Sequence, residues 1–441
     1  MTTTATSGSQ PPTVRQRLLG RTRARRLAVG IAVAVLAAPM LAACGNSAGA
    51  AVPTLNFYNF PDNSGAIQQA ADTCTKQSGG RYVISYNKLP SAADGQRQQL
   101  VRRLAAHDSS MDILGLDVTW EAEFAQAGWI REWTGSDKQQ ASDGTLAVPL
   151  ETATWNGKLY AAPYNSNTQL LWYRSDLVPN PPKTWDEMIN DSIALAKQGK
   201  PPLIEIQGAQ YEGAVVWFNT MVASAGGSVL TSDNKKVSLG TPAVNALTIM
   251  HRLATSPAAD PSLSVQMEDQ NRLAMESGTA AFELNYPFVY PSMKADQPQL
   301  FKSFKWAMYP SVNAGEPSHV TIGGIDLAIS SYSKHADLAF QAALCLRDRE
   351  NQKVAAIKGG LPPTIASLYT DPALQADYPF RAEILAALNT ASVRPKTPAY
   401  QSLSIVISHL VSPPASINPQ STEKKMVSQL NDALQSKGLV P

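Results

Sequence analysis

The chain has 441 residues, of which 44% are hydrophobic and 16% charged. That make-up describes a globular protein rather than a collagenous or disordered one, and the length allows two or three domains with a sizeable core. The formal net charge of +2 hides an asymmetry: residues 1–43 hold six arginines and no acid, so the remainder carries 31 basic against 35 acidic groups, a net of −4. A mildly acidic body lacks the clustered Lys and Arg that bind phosphate backbones, so no nucleic-acid partner is expected.

Residues 15–26 are arginine-rich, and 27–43 form an uncharged run dominated by Ala, Val and Leu. The run ends in Leu41-Ala42-Ala43-Cys44-Gly45. A positive region, an apolar run and small residues before a cut are the layout of an export signal. The run is short of the ~20 residues that a membrane-spanning helix needs. Leu-Ala-Ala-Cys-Gly is similar to the bacterial lipobox, which implies a signal peptide over 1–43 and acylation of Cys44 with palmitate-type chains. Arg25-Arg26 leaves the twin-arginine route open beside the general one. Two or more acyl chains anchor stably, at about 0.8 kcal/mol per buried methylene. Residues 44–52 are small and flexible, as a tether requires. The expected location is the outer face of the cytoplasmic membrane. There, Cys74 and Cys345, an even pair without a Cys-x-x-Cys spacing, invite a disulfide, with two buried free thiols as the alternative.

Along the mature chain, 55–58 reads as a short strand, 65–77 as a helix and 81–86 as a second strand. Residues 95–106 place Leu100, Val101 and Leu104 on one helical face, and 111–116 reads as a buried strand. Strand–helix–strand alternation predicts an α/β fold with a mostly parallel sheet. Ligands of such sheets bind beyond the carboxyl ends of the strands, which is where Asp117, Thr119 and Trp120 fall. Asn156-Gly157 between apolar runs signals a hairpin. After Pro163 a second set begins with 170–173 and runs past a long apolar helix, 213–225, closed by Gly226-Gly227. Residues 280–284 and 321–329 read as strands and 336–356 as one long amphipathic helix. A helical C-terminus, interrupted at 412–414, completes the chain.

The five histidines show no metal-ligand spacing, so no metal site is expected, and no cofactor either. No Gly-x-Ser-x-Gly elbow, Walker loop or Gly-x-Gly-x-x-Gly fingerprint occurs, so the chain is not expected to be an enzyme. Carboxylates are plentiful, which leaves an exported glycoside hydrolase open as a rival.

Three stretches carry a resemblance. The first is Met111-Asp112-Ile113-Leu114-Gly115-Leu116-Asp117 with Trp120 and Phe124-Ala125-Gln126-Ala127-Gly128-Trp129. The second joins Asn156-Gly157-Lys158-Leu159-Tyr160-Ala161-Ala162-Pro163, Leu170-Leu171-Trp172-Tyr173-Arg174 and Pro181-Pro182-Lys183-Thr184-Trp185-Asp186-Glu187. The third is Gly278-Thr279-Ala280-Ala281-Phe282 with Gly323-Gly324. Together they resemble the extracytoplasmic sugar-binding proteins of ABC importers, the maltose-binding-protein-like family. Asn167-Thr168-Gln169, Val215-Val216-Trp217-Phe218-Asn219-Thr220, Val393-Arg394-Pro395 and Cys345-Leu346-Arg347-Asp348 look most like the mycobacterial trehalose-binding lipoproteins of that family.

The resemblance implies a two-lobed, class II-like Venus-flytrap fold with crossing hinge segments, placed near 163–165 and near His319. Lobe 1 would combine 53–164 with 319–370, and lobe 2 would combine 165–318 with 371–441. It also implies a carbohydrate site on Asp117, Asn167, Glu268, Tyr286 and Arg394. Asp117 and Glu268 would accept from sugar hydroxyls, Arg394 would donate, Asn167 would do both, and Tyr286 would supply a stacking face where relatives can carry Trp. Asp62, Asn63, Gln96, Trp120 and the backbone at Gly324 are further candidates. Cys74 and Cys345 match cysteine positions of the same relatives. The expected partners are a disaccharide, with trehalose foremost, the transmembrane subunits of an ABC permease, and the membrane through the lipid anchor. The protein itself is expected to be a monomer. Maltose, an amino sugar and a glycerophosphodiester are the alternative ligands.

Overall fold

The computed structural model describes residues 51–437, so the export segment, Cys44 and most of the tether lie outside the described residues. No helix among the described residues is long and apolar enough to cross a membrane. The chain forms β1 (Thr54–Asn59), β2 (Val83–Lys88), β3 (Ile113–Asp117) and the hairpin β4 (Thr154–Trp155) and β5 (Lys158–Leu159). It continues with β6 (Ala161–Asn167), β7 (Leu170–Arg174), β8 (Leu203–Glu205), β9 (Ala280–Asn285), β10 (Phe304–Ala307) and β11 (Gly323–Ile329). Two sheets result, ordered β2-β1-β3-β11-β6 and β10-β7-β9-β8.

The alternation of strands and helices at the start of the chain builds what it predicts: β1, β2 and β3 are parallel neighbours linked through the helices Ala66–Gln77 and Ala93–Ala105. Ile113-Leu114-Gly115-Leu116 is buried on both faces, as a central strand covered by helices must be. The expectation of a mostly parallel sheet fails further on. β11 runs antiparallel to both β3 and β6, and the second sheet has only one parallel pair, β8 with β9. β11 returns from the second sheet, so no local crossover helix constrains its direction.

The chain leaves the first sheet after Asn167 and enters the second at Leu170, so the first passage lies at Thr168–Gln169, beyond the 163–165 read from sequence. His319 falls in the return passage between β10 and β11. Each sheet has its own core. Phe57, Leu114, Phe124, Trp133 and Leu327 pack in the first, and Trp185, Trp217, Phe218 and Met221 in the second.

The helix expected over 336–356 is two helices, Ala336–Leu346 and Arg349–Gly359. Asp348 breaks it by capping the second helix, its side chain accepting from the Asn351 N–H at 2.8 Å. Arg347 turns inward and donates to the Pro163 carbonyl at 2.8 Å, the Gln140 carbonyl at 3.1 Å and the Thr145 hydroxyl at 2.9 Å. Arg is compatible with a continuing helix, so the local signal for the break is the Asp alone, a preferred N-cap residue. Cys74 and Cys345 form a disulfide, with an S–S length of 2.06 Å, that ties the helix Ala66–Gln77 to Ala336–Leu346.

Candidate functional site

Three strand ends of the first sheet meet at one corner. Asp117 closes β3 opposite Ile325, and Asn167 closes β6 opposite Gly323. Asp117 Oδ1 accepts from the Thr119 backbone N–H at 3.1 Å and from the Thr119 hydroxyl at 2.8 Å. A Cβ on Gly323 would lie 3.4 Å from Asn167 Cβ and 3.9 Å from the Tyr286 hydroxyl, so these three residues share a wall.

The second sheet delivers Tyr286 just past β9. The buried Asn285 accepts the Tyr286 N–H at 2.9 Å and donates to the Glu268 carbonyl at 2.9 Å and to Glu283 Oε1 at 2.7 Å. One amide therefore fixes Tyr286 relative to Glu268, which opens the helix Glu268–Glu276. Burial, reinforced by the charge of Glu268 and opposed by Arg394, pushes the Tyr286 hydroxyl far above its ordinary range. Burial likewise raises the Glu268 carboxyl.

Arg394 joins the two sides. It is 4% exposed, and its Nη1 donates to Glu212 Oε1 at 2.5 Å. Its Nη2 donates to Asp117 Oδ1 and to the Ile322 carbonyl, each at 3.3 Å. Asp117 and Glu212 together keep the guanidinium charged against the cost of burial. Glu212 stands in the first turn of the helix Glu212–Ser224, which is buried on nearly every face. Burial pushes its carboxyl up, while Arg394, Ser404 and Tyr400 oppose the shift. Two further bonds reach the first lobe from the same C-terminal segment: Lys396 Nζ to the Glu151 carbonyl at 2.7 Å, and Gln401 Nε2 to Asp94 Oδ1 at 3.0 Å.

Of the residues singled out in the sequence, the structure thus brings together Asp117, Asn167, Glu268, Tyr286 and Arg394, beside Gly323-Gly324. No side-chain hydrogen bond among the described residues joins Asp62, Asn63, Gln96 or Trp120 to them; Trp120 meets the cluster only through its backbone N–H, which donates to the Asp117 carbonyl at 2.9 Å. The Asp62 carboxylate caps the helix Ala66–Gln77, accepting from the Ser64 N–H and hydroxyl at 2.8 and 2.6 Å and from the Ile67 N–H at 2.9 Å. Asn63 is exposed. Gln96 is buried and donates to the Ser91 carbonyl at 3.3 Å. Trp120 is buried in the first core, stacked on Phe124 with ring centroids 6.2 Å apart.

Sequence reasoning missed Glu212, Asn285 and Lys396. Glu212 did carry a signal: an acid opening a helix that is apolar all round has no solvent face, so it needs a buried partner. A close carboxylate pair also exists, Glu121 with Asp326, at 2% and 1% exposure. Burial raises both, Asp326 to about 7, and so thoroughly sealed a pair is out of reach of a glycosidic bond. No group of His, Cys, Asp and Glu among the described residues is arranged to hold a metal ion.

A family profile described as bacterial extracellular solute-binding protein matches residues 65–353. The chain belongs to that family. A probable ABC transporter-binding protein of Deinococcus radiodurans is 26% identical over 375 residues, covering 82% of this chain and 88% of its own. The diacetylchitobiose-binding protein DasA of Streptomyces coelicolor is 23% identical over 277 residues, covering 61% of this chain and 64% of its own. Among solved structures, maltose-bound MalE3 of T. maritima superposes with a TM-score of 0.78 at 26% identity, over 87% of this chain and 99% of that one. The GacH receptor of Streptomyces glaucescens does so with 0.76 at 21% identity, over 88% and 99%. These likenesses establish the two-lobed α/β solute-binding fold expected from the sequence.

Proposed function

We propose that the protein captures an uncharged α-linked disaccharide, trehalose foremost, between its lobes and delivers it to an ABC permease, held to the membrane by acylated Cys44. One cluster carries this reading: Asp117, Asn167 and Gly323-Gly324 from the first sheet face Glu268, Tyr286, Glu212 and Arg394 from the second side. Carboxylates, an amide and a guanidinium match sugar hydroxyls, and a half-buried aromatic matches a ring face. Each charge-assisted hydrogen bond contributes about 1.5–3 kcal/mol net. Support for a sugar comes from maltose-bound MalE3, from GacH in complex with acarbose and from the diacetylchitobiose-binding protein DasA. The preference for trehalose rests on the phrases resembling the mycobacterial lipoprotein LpqY, among them Val393-Arg394-Pro395.

The electrostatics favour a neutral sugar over a glycerophosphodiester. The guanidinium of the cluster is already claimed by two carboxylates, so it offers no open positive charge to a phosphate. No bond is made or broken in this mechanism. Contacts to both lobes stabilise the closed form, and the ligand shifts the equilibrium only by its differential affinity for that form. Lobe motion is set by the passages near 168–169 and 319, which moves the first boundary of the division read from sequence, 53–164 plus 319–370 against 165–318 plus 371–441, to the end of β6 at Asn167.

The test is calorimetry against trehalose, maltose, diacetylchitobiose and a glycerophosphodiester, with Asp117→Asn and Arg394→Gln beside the wild type. Trehalose should bind tightly, and each variant should lose about 1.5–3 kcal/mol or more. Unchanged affinity in both variants would move the site elsewhere. A wild type indifferent to every sugar would refute the assignment.

A further inference from the structure

We infer that Glu212 is a positioning residue, one that pre-sets Arg394 so that the Arg394–Asp117 contact is the exchangeable one. The guanidinium's two bonds to carboxylates are unequal: 2.5 Å to Glu212 on its own side, but 3.3 Å to Asp117 across the cleft, at the long end of the hydrogen-bond range. Glu212 is itself immobilised. Its Oε1 also accepts from the Tyr400 hydroxyl and its Oε2 from the Ser404 hydroxyl at 2.5 Å, and both donors are almost wholly buried. Its place in the first turn of the helix Glu212–Ser224 adds the favourable end of the helix dipole.

The Asp117 carboxylate, by contrast, is held among the described residues only by its neighbour Thr119 besides Arg394, and it stays partly open, its side chain 18% exposed. Arg394 also keeps one donor free, since its buried Nε has no partner among the described residues. A sugar hydroxyl entering between the lobes can therefore replace the long Arg394–Asp117 bond, donating to Asp117 and accepting from Arg394, while Glu212 holds the guanidinium still. Without the Glu212 charge, Arg394 would fall back on Asp117 and occupy the acceptor that the ligand needs.

This role rests on the sugar-binding reading above. It is tested by a double-mutant cycle on affinity and on thermal stability with wild type, Glu212→Gln, Arg394→Gln and the double variant, using whichever panel sugar the wild type binds. Gln keeps the shape of Glu212 and one acceptor oxygen for Tyr400, and its NH2 group faces the Ser404 hydroxyl, which can accept as well as donate. Glu212→Gln should weaken binding about 10–100-fold in the wild-type background and only about two-fold in the Arg394→Gln background. Ser404→Ala, which loosens Glu212 without removing its charge, should weaken binding by a few-fold and spare the fold. Equal losses in both backgrounds would make Glu212 merely structural and overturn the inference while leaving the sugar assignment standing. If the wild type binds no sugar, the functional reading fails and takes this role with it, and coupling in thermal stability alone would then mark a purely structural ion pair.

Discussion

Adjacent glycines at the corner of the site separate structural from functional cost. Gly324 has φ +136, a backbone conformation that side chains rarely adopt, and a Cβ there would lie 2.3 Å from the Asn165 carbonyl oxygen and 2.9 Å from Ser166 Cα. Both atoms are backbone of β6, which pairs with β11 through an irregular register beginning at Ile325. Real Cβ contacts stop near 3.0 Å, so Gly324→Ala forces the two strands apart by about 0.7 Å. Backbone strain of about 1–3 kcal/mol and overpacking of about 1–3 kcal/mol together predict a loss of roughly 3–5 kcal/mol. Gly323 has no positive φ, and its nearest neighbour would be Asn167 Cβ at 3.4 Å, an ordinary contact. Gly323→Ala should therefore cost less than about 1 kcal/mol of stability. Its methyl would nevertheless stand 3.9 Å from the Tyr286 hydroxyl, where the sugar is proposed to lie, and should weaken binding about ten-fold or more. Urea denaturation measures the first effect as a lower midpoint at constant slope, and calorimetry measures the second. A Gly324→Ala protein as stable as wild type, or a Gly323→Ala protein that is unstable yet binds normally, would refute this division.

Removing the disulfide with Cys74→Ala and Cys345→Ala releases a loop with a sequence separation of 271. Chain entropy sets an upper bound of about 5–6 kcal/mol for a loop of that size, so a clear drop in thermal midpoint is expected. An unchanged midpoint in the double variant would show that the surrounding packing carries the connection. Glu205 and Glu283 are adjacent on β8 and β9 and wholly buried, and burial raises each from 4.5 to about 8, with Asp260 adding to Glu205 and with Glu205 and Glu276 adding to Glu283. Their folded pKa lies above the unfolded value, so their stabilising effect is complete below pH ~4.5 and falls as pH rises toward 8, by roughly 5 kcal/mol for each carboxyl taken alone. Glu205→Gln with Glu283→Gln should flatten unfolding free energy over that window, and an unaltered slope would contradict it. Asp348→Ala removes the cap of the helix Arg349–Gly359 and should cost about 1 kcal/mol by denaturation. No change there would mean that the break at 347–348 is held by Arg347 alone.

Much of the first lobe was legible because its signals are local. Alternating strands and helices within some sixty residues fix β1, β2 and β3, and with them the carboxyl end that carries Asp117. The same signal, however, marks every polar residue just past a strand. Asp62 lies just past β1 and Asp117 ends β3, yet the Asp62 carboxylate closes a helix terminus, whereas that of Asp117 meets Arg394. Only the partner decides between the two, and the partner of Asp117 is 277 residues away. The direction of β11 escaped for the same reason, and so did half of the break at 347–348: the distant partners of Arg347 are not encoded by its neighbours, whereas the Asp348 cap is a local contact.

Glu212 shows how such a partner can be sought from sequence. A carboxylate at the start of an exposed amphipathic helix needs no explanation, because the helix dipole and water suffice. The helix it opens here has no polar face, with Val215, Val216, Trp217, Phe218, Met221 and Val222 all buried. An ionised acid in that position costs several kcal/mol unless a cation and further donors meet it. The requirement for a buried cation is thus legible, and the candidates reduce to arginines flanked by apolar or proline residues, as Arg394 is in Val393-Arg394-Pro395. Once Arg394 is assigned to Glu212 it cannot also be a free surface charge. The guanidinium must then enter the cleft already oriented, which is the condition for it to distinguish one hydroxyl of the proposed sugar from another.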